Sequence, residues 1–308
     1  MTQIAVTGAS GFLGSAVVEA LRADGAHVLR LVRRTPATQD EVQWDPNAGT
    51  VDVNALTGTD AVIHLAGAGV GDHRWTPAYK QEILTSRVEG TRTIAAACAA
   101  MTPRPRVLLS SSAIGYYGDT GESAVDESAP PGSGFLADVT RAWEPETKPA
   151  DAAGVRVVHM RTGVILSSRG GTLGGTVHVL GVPIKLLTLF KAGLAGPLGS
   201  GRQWVSWMSL TDYVAAVRFL LANDDVYGPV NLTAPQPVRS KEWVRAIGRA
   251  VHRPTVLPVP CFALRAAIGP FADEAVLSSG RVLPRRLEAA GFQFTHRDID
   301  TALAAELG

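Results

Sequence analysis

The stretch Thr7-Gly8-Ala9-Ser10-Gly11-Phe12-Leu13-Gly14 decides the fold, because of what lies on either side of it. Before it, Ile4-Ala5-Val6 reads as a buried strand; after it, Ser15–Arg22 (SAVVEALR) has apolar spacing suited to a helix. A glycine-rich turn between such elements lets the backbone approach a pyrophosphate. The helix N-terminus adds free N–H donors and a partial positive charge. The spacing is G-x-x-G-x-x-G (Gly8, Gly11, Gly14) rather than G-x-G-x-x-G. A tight strand–helix turn without a ligand is the alternative, and the flanking elements favour the dinucleotide cradle.

The bulk of the chain agrees with that reading. Its 308 residues suit one large domain or two unequal ones. Lys and Arg total 29 against 28 Asp and Glu, a net charge of +1, which gives no electrostatic reason to expect nucleic acid or a membrane surface as partner. Thirty-two glycines with 46% hydrophobic residues fit an α/β protein with many tight turns. The two cysteines, Cys98 in an Ala-rich helical run and Cys261, have no neighbours at metal-ligand spacing, so no metal is expected. A reducing, cytoplasmic setting follows from this cysteine usage, and no secretory signal is read at the N-terminus. From His178 to Gly199 the chain is apolar but broken by Pro183, Lys185, Lys191 and Pro197, which argues against a membrane span.

Strands are expected at Ile4–Thr7, Val28–Val32, Ala61–Ala66, Val107–Ser111 and Val155–Arg161, with helices at Ser15–Asp24, Trp75–Cys98 and Phe135–Ala153. This alternation builds a Rossmann-like, doubly wound parallel sheet, with ligands outside the carboxyl ends of its strands. After Leu166 the rhythm changes. Ser167–Gly201 carries nine glycines and reads as a mobile substrate-side loop around one apolar helix, Val182–Leu194. Thr211–Asn223 is an amphipathic helix, Val230–Leu232 a short strand, and Lys241–Gly308 is helical with Pro-rich connections. The division expected is a nucleotide-binding domain over 1–235, with an insertion near 167–202, and a smaller, mainly helical module over 236–308.

The second strand bears on the cofactor. An NAD site usually ends it with an acid that accepts the ribose hydroxyls. Here His27-Val28-Leu29-Arg30-Leu31-Val32 ends in Arg33-Arg34, and guanidinium groups suit a 2′-phosphate. NADP(H) is therefore expected, with a solvated basic turn as the alternative. Ala61–Ala68 (AVIHLAGA) reads as a strand ending in small residues, which lets Leu65, Ala66 and Gly67 approach the cofactor closely. His64, inside it, reads as a hydrogen-bonded core residue.

TGASGFLG, LAGA, SRVEGT (Ser86–Thr91), LLSSSAIGYYG (Leu108–Gly118) and MRTGVILSSRGG (Met160–Gly171) occur in that order. With them the chain resembles an extended short-chain dehydrogenase/reductase. Trp44-Asp45-Pro46, Arg74-Trp75-Thr76, Tyr116-Tyr117 and the tail VLPRRLEAAGFQF (Val282–Phe294) narrow this to the atypical epimerase-like branch with a C-terminal domain of unknown function. The resemblance implies nucleotide contacts from Gly8, Ser10, Gly11, Phe12, Leu13, Gly14, Ser110, Glu82, Arg87, Val164 and Ile165. It also implies a homodimer, by analogy alone.

Extended members pair a Ser after the fourth core strand with Tyr-x-x-x-Lys on the next helix, the Tyr moving a proton while hydride passes to or from the nicotinamide. Ser112 matches the Ser. The helix instead carries Phe135 or Leu136 where Tyr is expected, and Val139 or Thr140 where Lys is expected. Tyr117 or Tyr116 is the candidate substitute, with packing as the alternative, and Ser112 would polarise the reacting oxygen. Arg161 reads as structural. Arg202, in Gly199-Ser200-Gly201-Arg202-Gln203-Trp204, resembles a substrate-phosphate ligand, against the alternative of an exposed loop arginine. The reading is an NADP-dependent oxidoreductase or epimerase-like enzyme acting on a small carbonyl or sugar-derived substrate. Its rival is a non-catalytic NADP(H)-binding sensor.

Overall fold

Alternation along the first strand divides the interior in two. Strand β1 (Gln3–Thr7) sends Ile4 and Val6 to one face of the central sheet and Ala5 to the other, as the two-residue period requires. In the computed structural model, which describes residues 2–307 other than 180 and 181, and side chains other than those at 172 and 176–184, the chain continues through helix α1 (Phe12–Ala23), β2 (His27–Val32), β3 (Glu41–Asp45), β4 (Thr50–Val51) and β5 (Ala61–His64). There follow α2 (Pro77–Ala100), β6 (Val107–Ala113), α3 (Phe135–Trp143), α4 (Lys148–Ala152), β7 (Arg156–Thr162) and β8 (Val164–Leu166). Next come α5 (Gly171–Gly174), β9 (Thr176–Val179), β10 (Val182–Lys185), α6 (Leu186–Lys191), β11 (Trp204–Val205), β12 (Trp207–Ser209) and α7 (Leu210–Ala222). The last elements are β13 (Gly228–Leu232), β14 (Val238–Arg239), α8 (Ser240–Ala250), α9 (Cys261–Ile268), α10 (Arg285–Ala289) and α11 (Ile299–Leu307).

The sheet order is β13-β7-β6-β5-β1-β2-β3-β4, parallel except for the edge strand β4. This is the expected doubly wound α/β architecture. The order reverses at β1, flanked by β2 and β5, and such a switch point opens a crevice for a ligand. Helices α1 and α7 cover one face. On the other, Ile94, Ala95 and Cys98 of α2 pack with Trp44, Leu56 and Ala150.

Two expectations change. The helix expected over Phe135–Ala153 breaks into α3, a 3-10 turn at Glu144–Thr147 and α4, since Pro145 and Pro149 remove donors from a continuous ladder. The helix expected over Val182–Leu194 opens instead as β10, hairpinned to β9, before α6, because Pro183 disfavours helix at the residue preceding it. Positions 180 and 181 of the apolar stretch lie outside the described residues. The C-terminal segment packs against the rest of the chain: Leu287, Phe292 and Phe294 join the core against α1 and α7, while α8 and α11 build a second core with Trp207 and Leu166.

Candidate functional site

The cradle is built at the end of β1. Gly8 sits at φ +66°, and a Cβ there would lie 2.8 Å from the Leu65 carbonyl carbon. A Cβ on Gly14 would lie 2.1 Å from the Gly8 oxygen, so helix and turn touch as only glycine allows. Gly11 donates its N–H to the Gly8 carbonyl at 2.9 Å and caps α1 with no side chain, leaving the first-turn amides of Phe12 and Leu13 without a side-chain partner. Ser10 is exposed at the mouth. The ring of Phe12 fills a notch in the segment that follows β8, where a Cβ at Gly170 would come within 2.2 Å of it. An uncapped helix and a side-chain-free turn are what a pyrophosphate needs.

One hydroxyl holds the neighbouring strand end. Thr7 Oγ1 accepts from the amides of Leu65 at 3.0 Å and Ala66 at 3.2 Å, so its proton goes to His64 Nδ1, 2.8 Å away. His64 is therefore the neutral tautomer with hydrogen on Nε2, and that nitrogen has no partner. Burial, with a smaller contribution from the Arg87 charge, pushes its pKa down to about 4. His64 is a core residue, as read from the sequence. Arg87 lies beside Gly67, donates from Nη1 to the carbonyls of Ala68 at 2.9 Å and Ile83 at 3.0 Å, and stacks 5.1 Å from the Trp143 ring. Glu82 is exposed on α2. The loop after β5 is thus fastened to α2 through Arg87.

At the end of β2 a residue that the sequence pattern does not single out takes charge. Glu41 opens β3 and is buried, and its carboxylate accepts four hydrogen bonds: Arg34 Nη1 at 2.8 Å, Arg34 Nη2 at 2.7 Å, Arg30 Nη2 at 2.8 Å and the Ala37 amide at 2.7 Å. Led by the Arg34 hydrogen bond, these hold its pKa down to about 2. Arg34 is fixed in place. Arg33 is exposed and makes no hydrogen bond or ion pair with the rest of the described chain.

At the end of β6, Ser112 and Tyr117 join one buried network. Ser112 Oγ donates to Glu144 Oε1 at 2.6 Å, and Arg161 donates to the same carboxylate from Nε and Nη2, both at 2.8 Å. Arg161 Nη1 donates to the Tyr117 hydroxyl at 3.0 Å, which in turn donates to Asn231 Oδ1 at 2.8 Å. Burial outweighs these partners and pushes the Tyr117 phenol up to about 12. Asn231 donates to the Leu283 carbonyl at 2.9 Å, tying the sheet to the C-terminal segment. The geometry thus changes the role read for Tyr117, which is a buried cross-brace whose proton is already given away. The proton of Ser112 is likewise committed to Glu144. Tyr116 differs. Its half-buried ring carries the Arg161 guanidinium 3.4 Å from its centroid, and its hydroxyl makes no hydrogen bond to the described chain.

The helix that follows supplies no acid–base pair. Leu136 packs against Gly115, where a Cβ would lie 3.1 Å from the leucine Cβ, and the Thr140 hydroxyl is spent on the Leu136 and Ala137 carbonyls, both at 3.0 Å. Its N-terminus is capped from far along the chain: Glu274 accepts from the amides of Phe135 at 2.9 Å and Leu136 at 3.1 Å. Ser110 is buried. Val164 and Ile165 run in β8 beside Trp207 and Met208 of β12. Arg202 is exposed, two residues before Trp204, whose ring centroid lies 4.0 Å from the Arg239 guanidinium and 4.5 Å from that of Arg281.

This geometry matches a known family. The NAD dependent epimerase/dehydratase family matches residues 4–232. The chain belongs to that family. A domain of unknown function, DUF1731, matches residues 259–306 of this family member. Epimerase family protein MT2273 of Mycobacterium tuberculosis is 46% identical over 300 residues, covering 97% of this chain and 96% of the relative. A chloroplastic epimerase family protein of Arabidopsis thaliana, the SDR39U1 homolog, is 36% identical over 98% of this chain and 86% of its own length. Among solved structures, human epimerase family protein SDR39U1, determined with NADPH, superposes with a TM-score of 0.89 at 28% identity, covering 99% of both chains. Membership of this family makes the chain an epimerase-like protein of the nicotinamide-dinucleotide-binding kind.

Proposed function

We propose that this chain binds NADP(H) and acts as an oxidoreductase or epimerase-like enzyme on a small carbonyl or sugar-derived substrate. One observation carries the choice of cofactor: Arg33 stands free beside an Arg34 that buried Glu41 holds in place. Three guanidinium groups, those of Arg30, Arg33 and Arg34, against the single carboxylate of Glu41 leave net positive charge where a 2′-phosphate belongs. The human relative solved with NADPH supports the same reading. In this assignment the Gly8–Gly14 turn holds the pyrophosphate, and Leu65–Gly67, Val164 and Ile165 line the remainder. The bound nicotinamide supplies or takes up a hydride. Tyr116 carries the proton, Ser112 and Tyr117 keep the end of β6 in place, and Arg202 meets an anionic part of the substrate.

Titration calorimetry with NADPH and NADH tests the cofactor. Arg33→Ala should weaken NADPH at least about tenfold, the loss of one charged hydrogen bond, and leave NADH unchanged. Equal affinity of the unaltered protein for both nucleotides refutes the assignment. Turnover is tested by NADPH oxidation across a carbonyl panel, with Tyr116→Phe abolishing it.

The second reading, a non-catalytic NADP(H) sensor, is favoured by α3 carrying Phe135 or Leu136, and Val139 or Thr140, where a proton-carrying pair is expected. It predicts nucleotide binding with no oxidation by any carbonyl.

A further inference from the structure

Four of the five large hydrophobic side chains that stand exposed among the described residues lie on adjoining stretches of chain: Leu194 at 57%, Val256 at 72%, Leu257 at 48% and Phe262 at 74%. Two chain segments that run side by side carry them. Arg253 Nε donates to the Lys191 carbonyl at 2.9 Å, the Val259 amide to the Pro197 carbonyl at 2.9 Å and the Gly199 amide to the Val259 carbonyl at 2.8 Å. Helix α9, which continues this ridge, is apolar at Phe262, Leu264 and Ile268 yet has no buried residue.

A cationic groove borders the ridge. It is lined by Arg245, Arg249, His252, Arg253, Pro254 and Thr255, where the chain leaves α8 and folds back on Gly248. Arg249 is paired with Glu242 and Asp300, while Arg245 is exposed and makes no ion pair within the described chain. With exposed Lys191, four cations face two carboxylates. The near-neutral charge of the whole chain conceals this local excess.

We propose that this face lies on an anionic phospholipid bilayer, with the apolar ridge in the headgroup–acyl boundary and the arginine groove on lipid phosphates. Exposed apolar side chains rimmed by Lys and Arg are what such a surface attracts. A second copy is a poorer occupant, because a two-fold contact would set this patch against itself and bring like charges together. The proposal concerns a surface contact, as no described helix is long and apolar enough to cross a membrane.

Vesicle flotation of the full chain tests it, with phosphatidylcholine alone or phosphatidylcholine mixed with phosphatidylglycerol, at low and high salt. The protein should float with the mixed vesicles only and be released by salt. Arg245→Glu should weaken binding at least about fivefold, one cation's share. The double variant Val256→Asp, Leu257→Asp should abolish flotation while its circular dichroism and nucleotide affinity stay unchanged. Absence of flotation with the mixed vesicles overturns the proposal. So does flotation that the double variant keeps, or retention on soluble polyglutamate with none on vesicles. A concentration-dependent dimer that the double variant disperses, without vesicle binding, assigns the ridge to a second copy instead.

Discussion

Replacing Thr7 by Val removes one hydroxyl and keeps the shape of a strand residue. In the folded protein that hydroxyl serves three groups: the amides of Leu65 and Ala66, at 3.0 and 3.2 Å, and His64 Nδ1, at 2.8 Å. The His64 contact is fully buried, and the imidazole already carries one unpartnered nitrogen. Each buried polar group left unpaired costs about 1–3 kcal/mol, with the half-buried amides at the low end, so the sum comes to about 3–5 kcal/mol. Urea unfolding followed by far-UV circular dichroism measures it, and Thr7→Ser, which retains the hydroxyl, should cost under about 1 kcal/mol. Because Leu65 and Ala66 form the wall against which Gly8 turns, Thr7→Val should also weaken NADPH binding. A Thr7→Val protein within about 0.5 kcal/mol of the original, or a Ser variant as damaged as the Val one, refutes the assigned network.

Gly14→Ala should cost about 1–3 kcal/mol and lower nucleotide affinity more than tenfold by calorimetry, since the new methyl must displace the Gly8 carbonyl 2.1 Å away. Glu144→Gln should destabilise by about 3 kcal/mol in urea, because it leaves the Arg161 guanidinium buried without its anion. Burial raises the Glu144 pKa, but the hydrogen bonds and charge of Arg161 outweigh it and hold it below the ordinary carboxylate range. Its contribution is therefore complete above the unfolded value of about 4.3 and is lost as pH falls through the lower folded one. Acid unfolding of the Gln variant should lack that component. Glu274→Ala should cost about 1 kcal/mol through the lost cap on α3 and speed hydrogen exchange at the Phe135 and Leu136 amides.

The parallel sheet was legible because β1, β5 and β6 are short apolar runs and α1 follows a glycine turn. Strand β3 was not, since Glu41-Val42-Gln43-Trp44-Asp45 carries acids at both ends. Glu41 is buried only because Arg30 and Arg34, from β2 and the turn after it, converge on it. The cradle could be read from local spacing. The roles of Ser112 and Tyr117 could not, because their partners Glu144, Arg161 and Asn231 lie 32, 44 and 114 residues away along the chain. Arg161, at the end of β7, is buried at the centre of that network. Glu274 gave no local signal, since its partners are the backbone of a helix on the far side of the chain sequence.

Phe12 joins two parts of the molecule that are separate in the sequence. Its ring sits in the first turn of α1 and occupies the space that a side chain on Gly170 would need. A lesion at Gly170 would consequently register some 160 residues upstream, as looser nucleotide binding with an untouched phosphate turn. Mutational scans that assign residues to nucleotide or substrate by their position in the chain would misfile it.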